Sequence, residues 1–466
     1  MTAESNPRTE VSVRQLVRTT FAGTLGTTLE YYDYVIYGLA TALVFNKLFY
    51  TNLDPAVGLV AGFATYAVGF VARPIGGLIL GAIGDRIGRK FIMMLTIVLM
   101  GLSTFAIGLL PTYDQVGLWA PALLVLCRIA QGFGAGAELS SSSTLLVETS
   151  PVKHRGFIGS FVSFGTNGGS LIASGVWLIV SSMPEDALLS WGWRVPFLFS
   201  IVVAAIGVWV RRHVRESKVF ESIADRQRSY SLGRLYLDLF RNGWRSFLIC
   251  FGLRIGEGGT STLYQAFLVG YVATIPHVAE STGALALLIS SLLGVVSIPL
   301  IGIFSDKVGR RTAFLILAGL QVVFALPGIA LIETGNMWAI IFAFLIASGI
   351  AVEGMYGVES PFMVEMFGSK HRLIGVTASK ELGGLAGAGV GPLIVAALLA
   401  AIGQWWIIGA YIGLLALIGF IAALCAPEVR GRDLTLTEDA VLSGPDRARQ
   451  REAEAVAPST VPEAAA

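Results

Sequence analysis

Long apolar runs separated by short polar breaks fill the chain from about residue 20 to residue 426. Most reach the roughly 20 residues that an α-helix needs to cross about 30 Å of hydrocarbon. Their limits predict twelve helices, numbered here in chain order. Helices 1 to 6 are expected near 20–46, 57–82, 91–110, 119–147, 156–181 and 194–213. Helices 7 to 12 are expected near 246–273, 282–304, 312–332, 337–363, 373–400 and 404–426. A polar stretch at 211–245 interrupts the pattern in mid-chain. The end of the chain is rich in Ala, Glu, Pro and Arg, a composition that predicts a disordered tail. The expected organisation is a cytoplasmic segment 1–19, a six-helix bundle 20–213, a linker 214–245, a second bundle 246–426 and a cytoplasmic tail 427–466.

Two echoes relate the halves. GAIGDRIGRK at 81–90 returns as GIFSDKVGRR at 302–311, an offset of 221 residues. VETSPVKHR at 147–155 returns as VEMFGSKHR at 364–372, an offset of 217. Each half therefore has six helices, with related loops after its second and fourth. Six is even, so both halves cross the membrane in the same sense, a parallel repeat.

Composition agrees with an all-α membrane protein. Mean hydropathy is +0.71 and 14% of residues are charged, against about 25% in soluble domains. The net charge of +2 says less than where the charges lie. Basic residues cluster after helices 2, 4, 6, 8 and 10, at Arg86, Arg89 and Lys90, at 153–155, along 211–245, at Lys307, Arg310 and Arg311, and at 370–372. The other connections hold little beyond Lys47 and Arg194. The positive-inside rule then puts these loops and both termini in the cytoplasm of a multi-pass protein of the cell membrane. The polar first twenty residues do not read as a cleaved signal peptide.

Other classes lack support in the sequence. Cys127, Cys250 and Cys425 have no metal-ligand spacing, and the four histidines lie in or beside loops. No cofactor, metal or enzymatic chemistry is expected, and no soluble sensor domain is visible. The Arg-rich linker fits topology and anionic lipid better than nucleic acid. The expected partners are the bilayer, a small molecule and protons, with the chain acting as a monomer.

The loop GAIGDRIGRK resembles the helix 2–3 signature of the major facilitator superfamily, and RIAQGFGAGAE at 128–138 resembles the helix 4 signature of its proton-coupled members. LEYYDYVIYG at 29–38, FVARPIGG at 70–77, WGWRVPFL at 191–198 and VRESKVF at 214–220 are similar to stretches of the metabolite:proton symporters. Tyr31 and Tyr34 depart from that pattern, where Trp and Phe are usual, as does Lys218, where Pro is usual. The resemblance implies two six-helix bundles and symport of a carboxylate or zwitterion with protons. Family substrates include citrate, oxoglutarate, shikimate, aromatic acids, proline and betaine. The rivals are a drug/proton antiporter and, from another class, a membrane sensor without transport.

Ionisable residues within a bilayer are costly, so they face a cavity or a partner. Glu30 and Asp33 share one face of helix 1 about 15 Å from its cytoplasmic end. Either can carry a proton, or be fixed in a salt bridge. Arg73 can bind a substrate carboxylate bidentately, or pair with Glu30 or Asp33. The resemblance ties Arg128 to proton coupling; its plain alternative is a bond to neighbouring carbonyls. Applying the offset of 221 to Asp33 gives Arg254, so helices 1 and 7 carry opposite charges at related positions. Arg254 can anchor a substrate or neutralise Glu257 three residues on. Lys380 and Glu381 pose a similar choice, and Tyr37 can supply a neutral hydrogen bond to substrate. Glu353 and Glu359 match no motif. For the loops the family reading is a gate, with Asp85, Arg86, Arg89, Asp306 and Arg310 latching the cytoplasmic side and Glu148 and Glu365 as partners.

Overall fold

A computed structural model of the protein describes residues 13–87, 89–136, 138–213 and 232–441, and every regular element among them is helical. Helix 1 runs Val13–Ala40 and continues through a wider π-helical turn, Thr41–Phe45, into Asn46–Phe49. Helix 2 is Pro55–Ile87 and helix 3 Arg89–Leu109. Helix 4 is Trp119–Ala135 with Glu138–Thr149, helix 5 Arg155–Ser181 and helix 6 Arg194–His213. A short amphipathic linker helix, Leu232–Asn242, precedes helix 7. Helix 7 is Trp244–Thr262, the π-turn Leu263–Phe267 and Leu268–Ala273. Helix 8 is Thr282–Val308 and helix 9 Arg310–Glu333. Helix 10 joins Met337–Phe344 and Glu353–Met366 through the π-helical Leu345–Val352. Helix 11 joins Arg372–Gly384 and Gly391–Ile402 through Leu385–Gly389, and helix 12 is Trp406–Cys425.

The twelve helices fall close to the limits that apolar patterning predicts. Among the described residues, six are each long and apolar enough to cross a membrane as one unbroken span, and a bent pair around Trp193 makes a seventh. Helices 1, 5 and 7 carry the buried charges, serines and glycines of the interface between the halves, which dilutes their hydropathy. Helices 1, 7, 10 and 11 all contain a π-helical turn, a feature that recurs at functional sites, and these helices also carry most of the buried charge.

The packing repeats. Helix 1 lies along helix 5 as helix 7 lies along helix 11, and helices 3 and 6 pair as helices 9 and 12 do. Between the halves, helix 5 runs along helix 8 and helix 2 meets helix 11. Outer faces expose large apolar side chains such as Val323, Leu300 and Leu292, as contact with lipid requires.

The halves touch at both ends. At the end away from the repeated loops, Gly270 of helix 7 sits so close to helix 1 that a Cβ there would lie 2.6 Å from that of Ala42. Nearby, Tyr34 Oη and Thr262 Oγ1 are 3.3 Å apart. At the loop end, Arg372 donates to Glu148 at 2.6 Å. Between these two sets of contacts lie the buried carboxylates Glu30, Asp33, Glu257, Glu359 and Glu381.

Residues 427–441 differ from the expectation of a disordered tail. They fold back over the loop end as a strap. Glu428 caps helix 9 by accepting from the N–H of Arg310 at 2.8 Å and of Arg311 at 3.2 Å. Arg432 accepts at its carbonyl from Arg155 of the first half (2.7 Å) and donates to the carbonyl of Glu365 in the second (2.9 Å). Asp439 accepts from the N–H of Gly368 at 2.9 Å. Composition hides this because much of the strap's hold is polar bonding to residues far off in the chain, with few apolar contacts such as that of Val429. The rest of the expected tail, 442–466, lies outside the described residues.

Candidate functional site

Glu30 and Asp33 are both buried on helix 1, one turn apart. Their partners differ. Glu30 accepts a hydrogen bond from Arg73 of helix 2. Nε of Arg73 also lies 3.2 Å from Glu381 of helix 11. Arg73 therefore stands between carboxylates from the two halves. Asp33 makes no ion pair with a described residue, and its Oδ1 meets no hydrogen-bond partner among them. A small cavity is lined by Glu30, Asp33, Arg73, Arg128 and Gln131. A second small cavity reaches the same two carboxylates from the side of helices 3 and 6. Both lie within the first half.

Arg128 is held by neutral groups. Nη1 donates to Gln131, and the guanidinium packs over the rings of Tyr37 at 4.2 Å and Tyr66 at 4.8 Å. Helix 4 can bring Arg128 this deep because it presses on helix 2 through glycines. A Cβ at Gly132 would lie 2.0 Å from the carbonyl oxygen of Gly69, and one at Gly136 equally close to that of Arg73. Tyr37, a candidate for a hydrogen bond to substrate, is fully buried and its ring packs against Arg128 in a cation–π contact.

In the second half, Nη1 of Arg254 donates to Glu257 on its own helix and to Glu359 of helix 10 at 3.2 Å. The local pair is present, and Glu359 extends it to a triad. Arg254 also packs over Tyr356 at 5.3 Å, whose hydroxyl donates to Tyr31 of helix 1 at 3.1 Å. Lys380 and Glu381, adjacent in sequence, serve different sites. Glu381 faces Arg73, whereas Nζ of Lys380 donates to Ser143 of helix 4 at 2.9 Å and Ser360 of helix 10 at 3.2 Å. Sequence reasoning left Glu359 unassigned and did not weigh Ser143 or Ser360. An acid inside an apolar run was the signal for Glu359; its partner on another helix was not legible.

At the loop end, Asp306 accepts from the N–H groups of Gly156 and Phe157 at 2.8 and 2.9 Å, where helix 5 of the other half begins. It also pairs with Arg310 at 2.8 Å. Arg310, fully buried, donates to Glu365 at 3.0 Å, and Arg155 stands 3.7 Å from the same carboxylate. The second-half loop thus finds Glu365 as its partner. Glu148 pairs with Arg372 of the second half. The side chains of Asp85, Arg86 and Arg89 lie outside the described residues.

Beside these pairs His371 bridges two elements, with Nδ1 3.2 Å from Asp439 of the strap and Nε2 2.9 Å from Asp238 of the linker helix. Burial works against the charged imidazole, but the two carboxylates outweigh it and raise His371 above its ordinary value. Burial likewise opposes ionisation of Asp238, yet hydrogen bonds from Lys370, His371 and Asn242 bring it down to about 2. Among the described residues no cluster of three or more His, Cys, Asp or Glu could hold a metal ion.

A family model for sugar (and other) transporters matches residues 19–231, and one for the major facilitator superfamily matches residues 254–455. The chain is 40% identical over 416 residues to YdfJ of Escherichia coli (strain K12), provisionally named a transporter, covering 89% of this chain and 97% of that one. It is 33% identical over 422 residues to the proline/betaine transporter of the same organism, covering 89% and 84%. To that organism's shikimate transporter it is 33% identical over 416 residues, covering 89% and 95%. The crystal structure of a D-xylose-proton symporter shares the fold, with a TM-score of 0.63 at 20% identity over 90% of this chain and 99% of that one. Two repeated halves that meet over buried charge, and relatives that align along nearly their whole length, make this chain a member of the major facilitator superfamily, a transporter and not an enzyme.

Proposed function

We propose that the protein is a proton-coupled symporter that imports a small organic acid or zwitterionic metabolite by alternating access. The observation that carries this reading is Arg73, a largely buried guanidinium shared by Glu30 of one half and Glu381 of the other. A guanidinium matches a carboxylate bidentately, so a substrate carboxylate can replace either partner. Relatives named for proline, betaine and shikimate support a substrate with such a group.

The coupling follows from the difference between Glu30 and Asp33. A proton on Glu30 removes the charge that holds Arg73 and frees it for substrate. Asp33, beside the same cavity and without a basic partner among the described residues, exchanges the proton that the gradient delivers. Arg128 lines the same cavity. Arg254, Glu257 and Lys380 form the second-half wall of the substrate site. Asp306, Arg310, Glu365 and Glu148, with Arg155 and Arg372, latch the loop end, and Asp85, Arg86 and Arg89 act likewise in the first-half copy. That end faces the cytoplasm, together with both termini, in the cell membrane. The transporter works as a monomer without a cofactor, driven by the proton gradient.

Uptake of labelled proline, betaine and shikimate into proteoliposomes, with and without an acid-outside gradient, tests this. At least one should accumulate with the gradient, and Arg73→Met should abolish it. Expulsion of these compounds against an inward proton gradient would replace symport by antiport.

A further inference from the structure

The membrane interior holds more acid than base. Among its described residues, the carboxyls of Glu30, Asp33, Glu257, Glu353, Glu359 and Glu381 are buried together with three bases, Arg128, Arg254 and Lys380, while a fourth, Arg73, keeps its side chain 12% exposed. Arg73 engages Glu30 and Glu381, and Arg254 engages Glu257 and Glu359. Each of these triads carries one surplus negative charge when fully ionised. Arg128, beside the Arg73 triad, and Lys380, beside the Arg254 triad, offset it. That accounts for four acids and four bases. Two acids remain, Asp33 and Glu353, and neither makes an ion pair with a described residue.

Glu353 is the less expected of the two. It is 3% exposed, and its Oε2 meets no hydrogen-bond partner among the described residues. It opens the helical segment that follows the π-helical turn Leu345–Val352, near the middle of helix 10. The described groups around it supply no cation. Helix 7 contributes Glu257, within electrostatic reach and already held by Arg254. Helices 8 and 9 carry their charges at their ends, at Asp306 and Lys307, and at Arg310, Arg311 and Glu333. Helix 5 has no charged residue after Arg155 at its start. On helix 11, Lys380 is turned to Ser143 and Ser360, and Glu381 to Arg73. In the second segment of helix 4, Glu148 is taken by Arg372. An ionised carboxylate in this setting would be both unpaired and desolvated, the costliest state for a buried group.

We propose that Glu353 is a second proton-binding site, holding a proton as a neutral carboxylic acid in the half of the molecule opposite Asp33. Its part in transport rests on the proton-coupled reading above; its protonation does not. A proton bound there adds to the one on Asp33, so each transport cycle that exposes both sites has two protons available to it.

Infrared spectroscopy of the purified full-length transporter in lipid, with no transported compound added, reads the protonation directly. At about pH 7.5, where exposed carboxyls are ionised, Glu353→Gln should lose absorbance of the protonated carboxyl. The double variant Asp33→Asn/Glu353→Gln should lose about twice as much. Glu359→Gln should instead lose absorbance of an ionised carboxylate. Because Gln mimics a neutral acid in size and charge, Glu353→Gln should melt within a few degrees of the unmodified protein. Unchanged protonated-carboxyl absorbance, loss of carboxylate absorbance, or a collapse in melting temperature in Glu353→Gln would each overturn the proposal. Gradient-driven uptake measured separately tells whether a failure lies with Glu353 or with proton coupling as a whole.

Discussion

Helices 1 and 7 hold equivalent places in the repeat yet carry opposite charges at the same position, Asp33 in one and Arg254 in the other. Their surroundings differ as much as their signs. Arg254 is tied to two carboxylates and packed on Tyr356. Asp33 lies beside two cavities, with no base among the described residues bound to it. Of two similar frames, one holds a paired charge cluster and the other a carboxylate with no ion pair among the described residues. A buried charge that is fully paired is expensive to disturb; one that is not paired is cheap to neutralise.

That contrast can be broken by mutation. Arg254→Met strands Glu257 and Glu359 and should cost about 3–5 kcal/mol of stability, read as a lowered melting temperature in detergent. Adding Glu257→Gln and Glu359→Gln should restore much of it. Asp33→Asn should change stability by no more than about 0.5–1 kcal/mol. Equal losses for Arg254→Met and Asp33→Asn would erase the distinction.

The loop end should behave like the paired half. Arg310→Gln removes the charged hydrogen bond to Glu365 and should cost about 1.5–3 kcal/mol, the range for hydrogen bonds to charged groups. It should also shift the population toward a state open at that end, seen as faster labelling of a cysteine placed at Ser143.

The smallest effect concerns the strap. His371 is raised in the folded protein, so its bond to Asp439 contributes fully at pH below the ordinary imidazole value. It is lost as pH rises through the raised one. Hydrogen exchange at 436–440 should therefore quicken as pH climbs through that window, after correction for the intrinsic rate. Asp439→Asn should remove the pH dependence and leave uptake unchanged.

The helices were legible in the sequence because spans of about 20 apolar residues leave little choice in a membrane. The repeat was legible because Asp and Gly recur at matching places in the loops. The pairings were not. Nothing local distinguishes Glu30, which binds Arg73, from Asp33, three residues on, which binds no base among the described residues. Lys380 and Glu381 are neighbours in sequence yet face different helices, because successive helical positions turn by about 100°. The strap was missed because much of its hold is polar and its partners, such as Arg155 and Gly368, lie far off in the chain.

The central claim is that Asp33 exchanges the coupling proton while Glu30 governs Arg73. It is tested by measuring gradient-driven accumulation and substrate exchange side by side in proteoliposomes carrying Asp33→Asn, with whichever of proline, betaine or shikimate is taken up. Accumulation should fall at least about tenfold, equivalent to about 1.4 kcal/mol of lost coupling, while exchange at equal pH persists. Full gradient-driven accumulation by Asp33→Asn would contradict the account.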